Sequence, residues 1–537
     1  MAIGNMEDFY AQLRAENVLD YGRKTEHLDI LSDLYTDDSH FIYEILQNAE
    51  DAQASEVKFV LYPDRLEIFH DGKRAFNEED VKSITKISDS TQREDVNTTG
   101  KFGLGFKSVY AVTDAPEIHS GGYDFKIESL IRPYPVSSIG IHAPYSTLFI
   151  LPFKIEKQKQ VYSKLAQKLQ QLELKTVLFL ENIKAISWEI KGATFNKNAG
   201  TYLKENKRNS QYGFNEVTCL DEKHIEKWFV FSSGTKNDCF VQLAFLYDEE
   251  HDEIIPANNT DLVVLFPTEK ETGLNFVVNG NFQTTPARDN VPPEKEHNRQ
   301  LIECIEELLK RVVPELKNKG LMNISLMKTL PTDASRFMSD KMVFFKPIYD
   351  TTKELFKTEE LIPTNIEGIY AKSTELAYAR NSELTELYTP FNKKWLTTEI
   401  THQNKNKDLY DYLTDELDVP MVIPEQFCRD CLSREFLSTQ TDDWFKKLYA
   451  FLTDQKALWK ENDAPRGRGS NAGIVRSRFI IKLDNDELVT PDDGAFLPTE
   501  NLDPDYRTVK HVFVEDKTSY DFLTRLGLKQ PNKVDAL

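Results

Sequence analysis

Three short stretches of this chain bring together residues whose types and spacing suit ligand chemistry. In Glu44-Ile45-Leu46-Gln47-Asn48-Ala49-Glu50-Asp51-Ala52 a carboxylate, an amide and a second carboxylate recur at helical spacing. At about 100° per residue, Asn48 lies about 40° to one side of Glu44 and Asp51 about 20° to the other. Ile42, Ile45, Ala49 and Ala52 fall on the neighbouring face and can anchor the helix in a core. A polar stripe beside an apolar one suits a helix that lines a wet pocket, although by itself it describes a solvated helix edge equally well. The second stretch is Asp71-Gly72, at the end of an alternating segment. It is either a simple turn or a buried carboxylate that accepts the amino hydrogen of a base. The third is Thr98-Thr99-Gly100-Lys101-Phe102-Gly103-Leu104-Gly105-Phe106-Lys107-Ser108-Val109-Tyr110, three glycines leading into an apolar, helix-like run. Glycines let backbone N–H groups approach an anion, and a helix start adds unpaired donors, so its composition is that of a phosphate cradle.

Two familiar cradles do not fit. A P-loop needs GxxxxGK[ST], and here Gly105 is followed by Phe106, which displaces Lys107-Ser108 by one place. The dinucleotide fingerprint has the reverse glycine spacing and directly follows a strand, whereas a polar loop, Ser88 to Thr99, precedes this one. That loop reads as lid-like. Between the helix and the cradle, Val57–Tyr62 and Leu66–His70 alternate around Pro63-Asp64-Arg65 and predict a hairpin.

In this order the elements resemble the GHKL ATPases, the group of gyrase, ninety-kilodalton heat-shock chaperones, histidine kinases and MutL. Among these the chain is most similar to the sacsin-like and NO VEIN-like branch. The resemblance is carried by Phe41 to Ala52, His70-Asp71-Gly72, Ile87-Ser88-Asp89-Ser90-Thr91 and Gly100 to Tyr110. The strand-like Ser146-Thr147-Leu148-Phe149-Ile150-Leu151-Pro152-Phe153 completes it. It implies a two-layer α/β sandwich that binds ATP with Mg²⁺. Glu44 would be the general base that activates water. Asn48 would give Mg²⁺ an oxygen, and Asp51 would support the pocket by hydrogen bonds. Asp71 would accept the adenine amino group beside Gly72, with Thr147 helping through its hydroxyl and a water. Gly100, Gly103 and Gly105, within Lys101-Phe102, Leu104 and Phe106, would shape the lid hinge, and Lys101 or Lys107 would supply charge. The Asp-x-Gly-x-Gly segment of the chaperones is reduced here to Asp71-Gly72-Lys73, so base contacts are expected to differ. A glutamate at position 44 suits hydrolysis. Phosphotransfer needs an upstream phosphoacceptor helix, and His27 and His40 leave no room for one.

With 537 residues, 40% of them hydrophobic, the chain can bury two or three cores. No apolar run reaches a membrane span and Met1–Leu19 lacks a signal peptide pattern, so a cytoplasmic location is expected. Five cysteines argue against a disulfide framework, and Cys428-x-x-Cys431 reads as two ordinary thiols rather than half a zinc site. A net charge of −21 speaks against broad adhesion to nucleic acid. The Lys-rich 154–175 helix reads as a solvated face, and Arg466-Gly467-Arg468-Gly469 as a loop.

The expected class is α+β in three parts. Residues 1–195 form the ATP-binding domain, closing with two strand-like pieces in Thr176–Ile190. Residues 196–330 form a transducer-like α/β middle domain. It has strands near Trp228–Ser232, Phe240–Tyr247, Leu262–Pro267 and Leu274–Val278, a turn at Asn279-Gly280 and a helix from about Glu294 to Leu316. Its candidate for reaching the nucleotide is Arg288, against a loop arginine paired with Asp289. Residues 331–537 form a mixed α+β accessory region, expected to continue in a longer protein. The resulting expectation is an ATP-hydrolysing conformational switch whose output is a protein partner or self-association. A non-hydrolysing nucleotide-binding scaffold and the regulatory part of a bacterial defence protein with a downstream effector stay open beside it.

Overall fold

The computed structural model describes residues 3–21, 41–86, 106–192, 197–209, 214–234, 238–258, 260–285, 290–379, 382–391, 393–459, 473–499 and 506–531. The lid-like loop, Gly100 to Gly105, Arg288 and the Arg466–Arg468 loop lie outside them. The chain divides into two compact units, Met1–Lys353 and Glu354–Leu537.

The first unit is built on one mixed sheet of 15 strands. In chain order they are β1 (Glu56–Leu61), β2 (Arg65–His70), β3 (Glu117–Ser120), β4 (Tyr123–Glu128), β5 (Arg132–Pro135), β6 (Thr147–Pro152), β7 (Ala185–Ile190) and β8 (Ala199–Asn209). There follow β9 (Phe214–Leu220), β10 (Ile225–Ser232), β11 (Val241–Asp248), β12 (Glu253–Ile255), β13 (Val263–Val264), β14 (Phe266–Pro267) and β15 (Val277–Gly280). The spatial order is β14-β13-β15-β11-β10-β9-β8-β7-β1-β2-β6-β3-β4-β5, with β12 beside β11. Most neighbours are antiparallel, but β1 and β7 run parallel, from Glu56 opposite Ala185 to Leu61 opposite Ile190. That pair joins the early strands to the β8–β11 meander.

The hairpin β1–β2 turns at Tyr62, whose N–H donates to Arg65 O at 2.8 Å, and pairs Leu61 with Leu66. Its alternation holds: every second residue of β2 is buried. Among the helices of this unit are α1 (Ile3–Tyr21), α2 (Phe41–Asp51), α3 (Glu78–Thr85), α4 (Gln158–Gln170) and α5 (Glu296–Asn318). Helix α3 begins with a capping box in which Asn77 and Asp80 satisfy each other's backbone donors. Helices α2 and α4 share a single core with β1, β2, β6 and β7, centred on Ile45, Phe59, Ile68, Phe149, Leu165 and Trp188.

Two sequence expectations fail locally. Thr176–Leu180 is not a strand: Leu174–Val177 forms a 3-10 turn, and Leu178, Phe179 and Leu180 are buried in the connector that leads to β7. A short apolar run does not by itself distinguish a strand from a buried turn. Asn279-Gly280 does not turn either, because both residues pair with β11. The Asn279 carboxamide stays in register by accepting Leu265 N–H at 2.9 Å and donating to Gln242 at 2.8 Å.

The second unit is largely helical, with short two- and three-stranded sheets such as Ile481–Lys482 against Leu488–Val489. Helices Asp442–Asp454 and Lys517–Leu526 enclose Tyr449, Trp459, Phe513 and Phe522. Cys428 and Cys431 lie in the same core as free thiols.

Candidate functional site

Helix α2 presents its polar stripe because the rest of its circumference is locked away. Phe41, Ile42, Ile45, Leu46 and Ala49 are fully or almost fully buried, whereas Glu44 and Gln47 are half-buried. Asn48 sits at the seam with only 9% of its surface exposed. No described side chain or backbone group forms a hydrogen bond with its carboxamide. Asp51 is exposed, one residue from the buried Glu50. Crowding by the surrounding protein and the neighbouring Glu50 push the Asp51 carboxyl up to about 6, against the pull of Arg74.

Strand β2 delivers His70, Asp71 and Gly72 to the C-terminal end of this helix. The Asp71 carboxylate accepts Ser55 N–H at 2.7 Å, Glu56 N–H at 2.8 Å and the Ser55 hydroxyl. Burial would raise its pKa, but the hydrogen bonds from Ser55 and Glu56 outweigh burial and hold it below the usual carboxylate range. An ionised carboxylate has about four acceptor positions, so Asp71 keeps roughly one for a ligand. Its first role is to fasten the exit of α2 to the start of β1. Gly72 is close-packed: a Cβ there would lie 2.8 Å from His70 Nδ1 and 2.9 Å from Ala52 Cβ. Only glycine lets β2 press this tightly against the helix end. His70 is buried and its pKa is pulled down to about 4 by desolvation, against the pull of Asp71. The neutral ring accepts Gly72 N–H at Nδ1, 3.1 Å away.

Thr147 lies fully buried opposite His70 in the β2–β6 register. Its hydroxyl is 2.6 Å from that of Ser120, which accepts the N–H of Phe76 at 3.1 Å. The expected hydroxyl is therefore present but engaged within the sheet. Phe106 is also a core residue, 5.8 Å from Phe149 between ring centroids. It opens a 3-10 helix, Phe106–Ala111, that packs against α2. Lys107 does not offer its charge to a ligand here. Its ammonium is buried and donates to Ile84 O at 2.7 Å and Leu130 O at 2.5 Å, and desolvation lowers its pKa to about 7. Gly100, Lys101, Phe102, Gly103, Leu104, Gly105 and Arg288 lie outside the described residues.

Sequence reading passed over Glu50, whose buried carboxylate accepts the N–H groups of Glu181, Asn182 and Ile183 at 2.7, 2.7 and 2.9 Å. The signal was present on the helical wheel. At about 100° per residue Glu50 falls about 240° from Glu44, inside the apolar arc between Leu46 and Tyr43. A charge there has to be paired internally.

Residues 25–128 match the family model of the Sacsin domain. This segment is sacsin-like. It contains the α2 stripe, Asp71-Gly72 and the glycine cluster, while Thr147 and Arg288 lie beyond it. Protein NO VEIN of Arabidopsis thaliana is 25% identical over 306 residues, covering 50% of this chain and 11% of that protein. Sacsin of Homo sapiens is 32% identical over 123 residues, covering 19% of this chain and 3% of that protein. The chain therefore spans a small part of the length of these curated relatives. A solved N-terminal domain of a DNA repair protein superposes with a TM-score of 0.33 at 12% identity, covering 52% of this chain and 95% of that one.

Proposed function

We propose that the sacsin-like segment is a GHKL-type site that binds Mg²⁺–ATP and hydrolyses it slowly, as a conformational switch. The observation that carries this reading is the nearly buried Asn48 carboxamide, without a hydrogen-bond partner among the described residues, one helical turn from the half-buried Glu44. An amide oxygen at the rim of a core suits a hard cation, and Mg²⁺ usually takes few protein ligands and keeps several waters. When bound, the ion would neutralise charge on the phosphates. Asn48 would hold the ion, and Glu44 would orient a water and take its proton. Asp71, already ionised and fixed by Ser55 and Glu56, would accept the base amino group with its remaining lone pair. The glycine cluster would meet the phosphates through backbone N–H groups. Binding and release would move residues 196–330 relative to a partner or a second copy, in the cytoplasm.

One observation favours a second reading, nucleotide binding without turnover. The inward-facing Lys107 leaves phosphate charge to be balanced by the ion and by groups outside the described residues. Phosphate release by highly purified protein separates the two. Hydrolysis predicts Mg²⁺-dependent release by wild type that falls by about 100-fold or more in Glu44→Ala, with ATP binding retained. Binding without release by wild type would leave only the scaffold.

A further inference from the structure

We infer, building on the nucleotide reading above, that Glu50 and Lys204 form the joint through which the state of helix α2 reaches the β8–β11 half of the sheet. The connector 178–184, which leads into β7, is gripped from both sides by buried charges. Glu50, from α2, takes its N–H groups: Glu181 and Asn182 donate to Oε1 at 2.7 Å each, and Ile183 donates to Oε2 at 2.9 Å. The Asn182 side chain adds a bond to Oε1 at 3.1 Å and one to the Glu50 carbonyl at 3.3 Å. Lys204, from β8, takes its carbonyls: Nζ donates to Leu178 O at 2.8 Å and to Leu180 O. The Lys204 N–H also donates to Lys184 O at 2.8 Å. Each residue retains only 7% of its surface exposed.

The polarity of this grip is chemically matched. A carboxylate only accepts and an ammonium only donates, so one faces a run of N–H groups and the other a run of carbonyls. Neither charge can leave without stranding buried backbone groups, so the connector moves with the helix and the strand that hold it. Its next residues, Ala185–Ile190, pair with β1 on one side and β8 on the other. A ligand that shifts α2 at Glu44 and Asn48 therefore displaces the connector and, through Lys204, β8. Glu50 and Lys204 are positioning residues: they act through the connector.

The test is hydrogen–deuterium exchange on the whole chain with and without saturating Mg²⁺–ATP, with ATP affinity measured by calorimetry in parallel. In wild type, nucleotide should alter exchange at 178–184 and at 199–220. In Glu50→Gln and in Lys204→Met, ATP affinity should stay within about threefold while the change at 199–220 shrinks by about fivefold or more. The joint is overturned if that change persists in both variants, or if saturated wild type shows no change at 178–184, a readout that does not depend on a variant folding. Failure of wild type to bind ATP is seen separately in the calorimetry and removes the nucleotide reading along with the joint.

Discussion

Asp71 accepts the backbone N–H of Ser55 at 2.7 Å and, through its other oxygen, the Ser55 hydroxyl. A carboxylate at the end of one strand thereby fixes the corner where the site helix turns into the neighbouring strand. The residue assigned to base recognition is thus also a structural tie, and both roles require it ionised.

Removal of that tie is measurable. Asp71→Ala leaves the Ser55 and Glu56 donors without their acceptor and should lower stability by about 1–3 kcal/mol in urea unfolding. Because the folded-state pKa is depressed, the charge stabilises the fold above the unfolded value of about 4, and this contribution is lost as pH falls through the folded value. The stability gap between wild type and Asp71→Asn should therefore narrow as pH drops below about 4. A gap that does not change with pH would exclude a stabilising charge.

Gly72→Ala places a Cβ 2.8 Å from the His70 ring and 2.9 Å from Ala52. Neither neighbour is a flexible side-chain tip, so the helix end or the strand must shift, at a cost of about 1–3 kcal/mol. Thermal unfolding should show the loss, and ATP affinity should weaken with it. An unchanged melting temperature would mean that the corner has slack.

Lys107 gives a pH signature of the same sign as Asp71 but in an alkaline window. Desolvation pulls its folded pKa to about 7, whereas an unfolded lysine titrates near 10.4. Between those values the unfolded chain binds more protons, so stability rises with pH. Relative to Lys107→Met, wild type should gain stability between about pH 7 and pH 9 in denaturant titrations. A difference that is flat with pH would place the ammonium in water rather than on Ile84 and Leu130.

The thiols should separate by burial. Cys304 is half-buried, whereas Cys219 and Cys428 are buried and pushed up to about 12 by desolvation. Brief iodoacetamide treatment of the native protein, read by peptide mass spectrometry, should modify Cys304 first and spare the other two until unfolding. Early labelling of Cys428 would contradict the packing of the second unit.

Much of the fold around the site was legible because local rules and burial agree there. The alternation of Val57–Tyr62 and Leu66–His70 gave the hairpin, and the periodic Leu301, Ile305, Leu308 and Val312 gave the long helix, observed at Glu296–Asn318. The buried arc of Phe41–Asp51 followed from its wheel. What pattern could not supply was the destination of polar atoms. The inward turn of Lys107 depends on carbonyls at Ile84 and Leu130, and the pairing of Thr147 with Ser120 depends on β3 lying beside β6. Both are contacts between residues distant in the chain. The Thr176–Leu180 run departs from its strand-like pattern for the same reason, since Lys204, well downstream, takes the Leu178 and Leu180 carbonyls.

The most direct test of the central claim is calorimetric titration of the purified chain with ATP, with and without Mg²⁺, for wild type and Asn48→Ala. The account predicts saturable binding by wild type that is strengthened by Mg²⁺, and a loss of about tenfold or more in Asn48→Ala only when Mg²⁺ is present. Absence of saturable binding by the folded wild-type chain would contradict it.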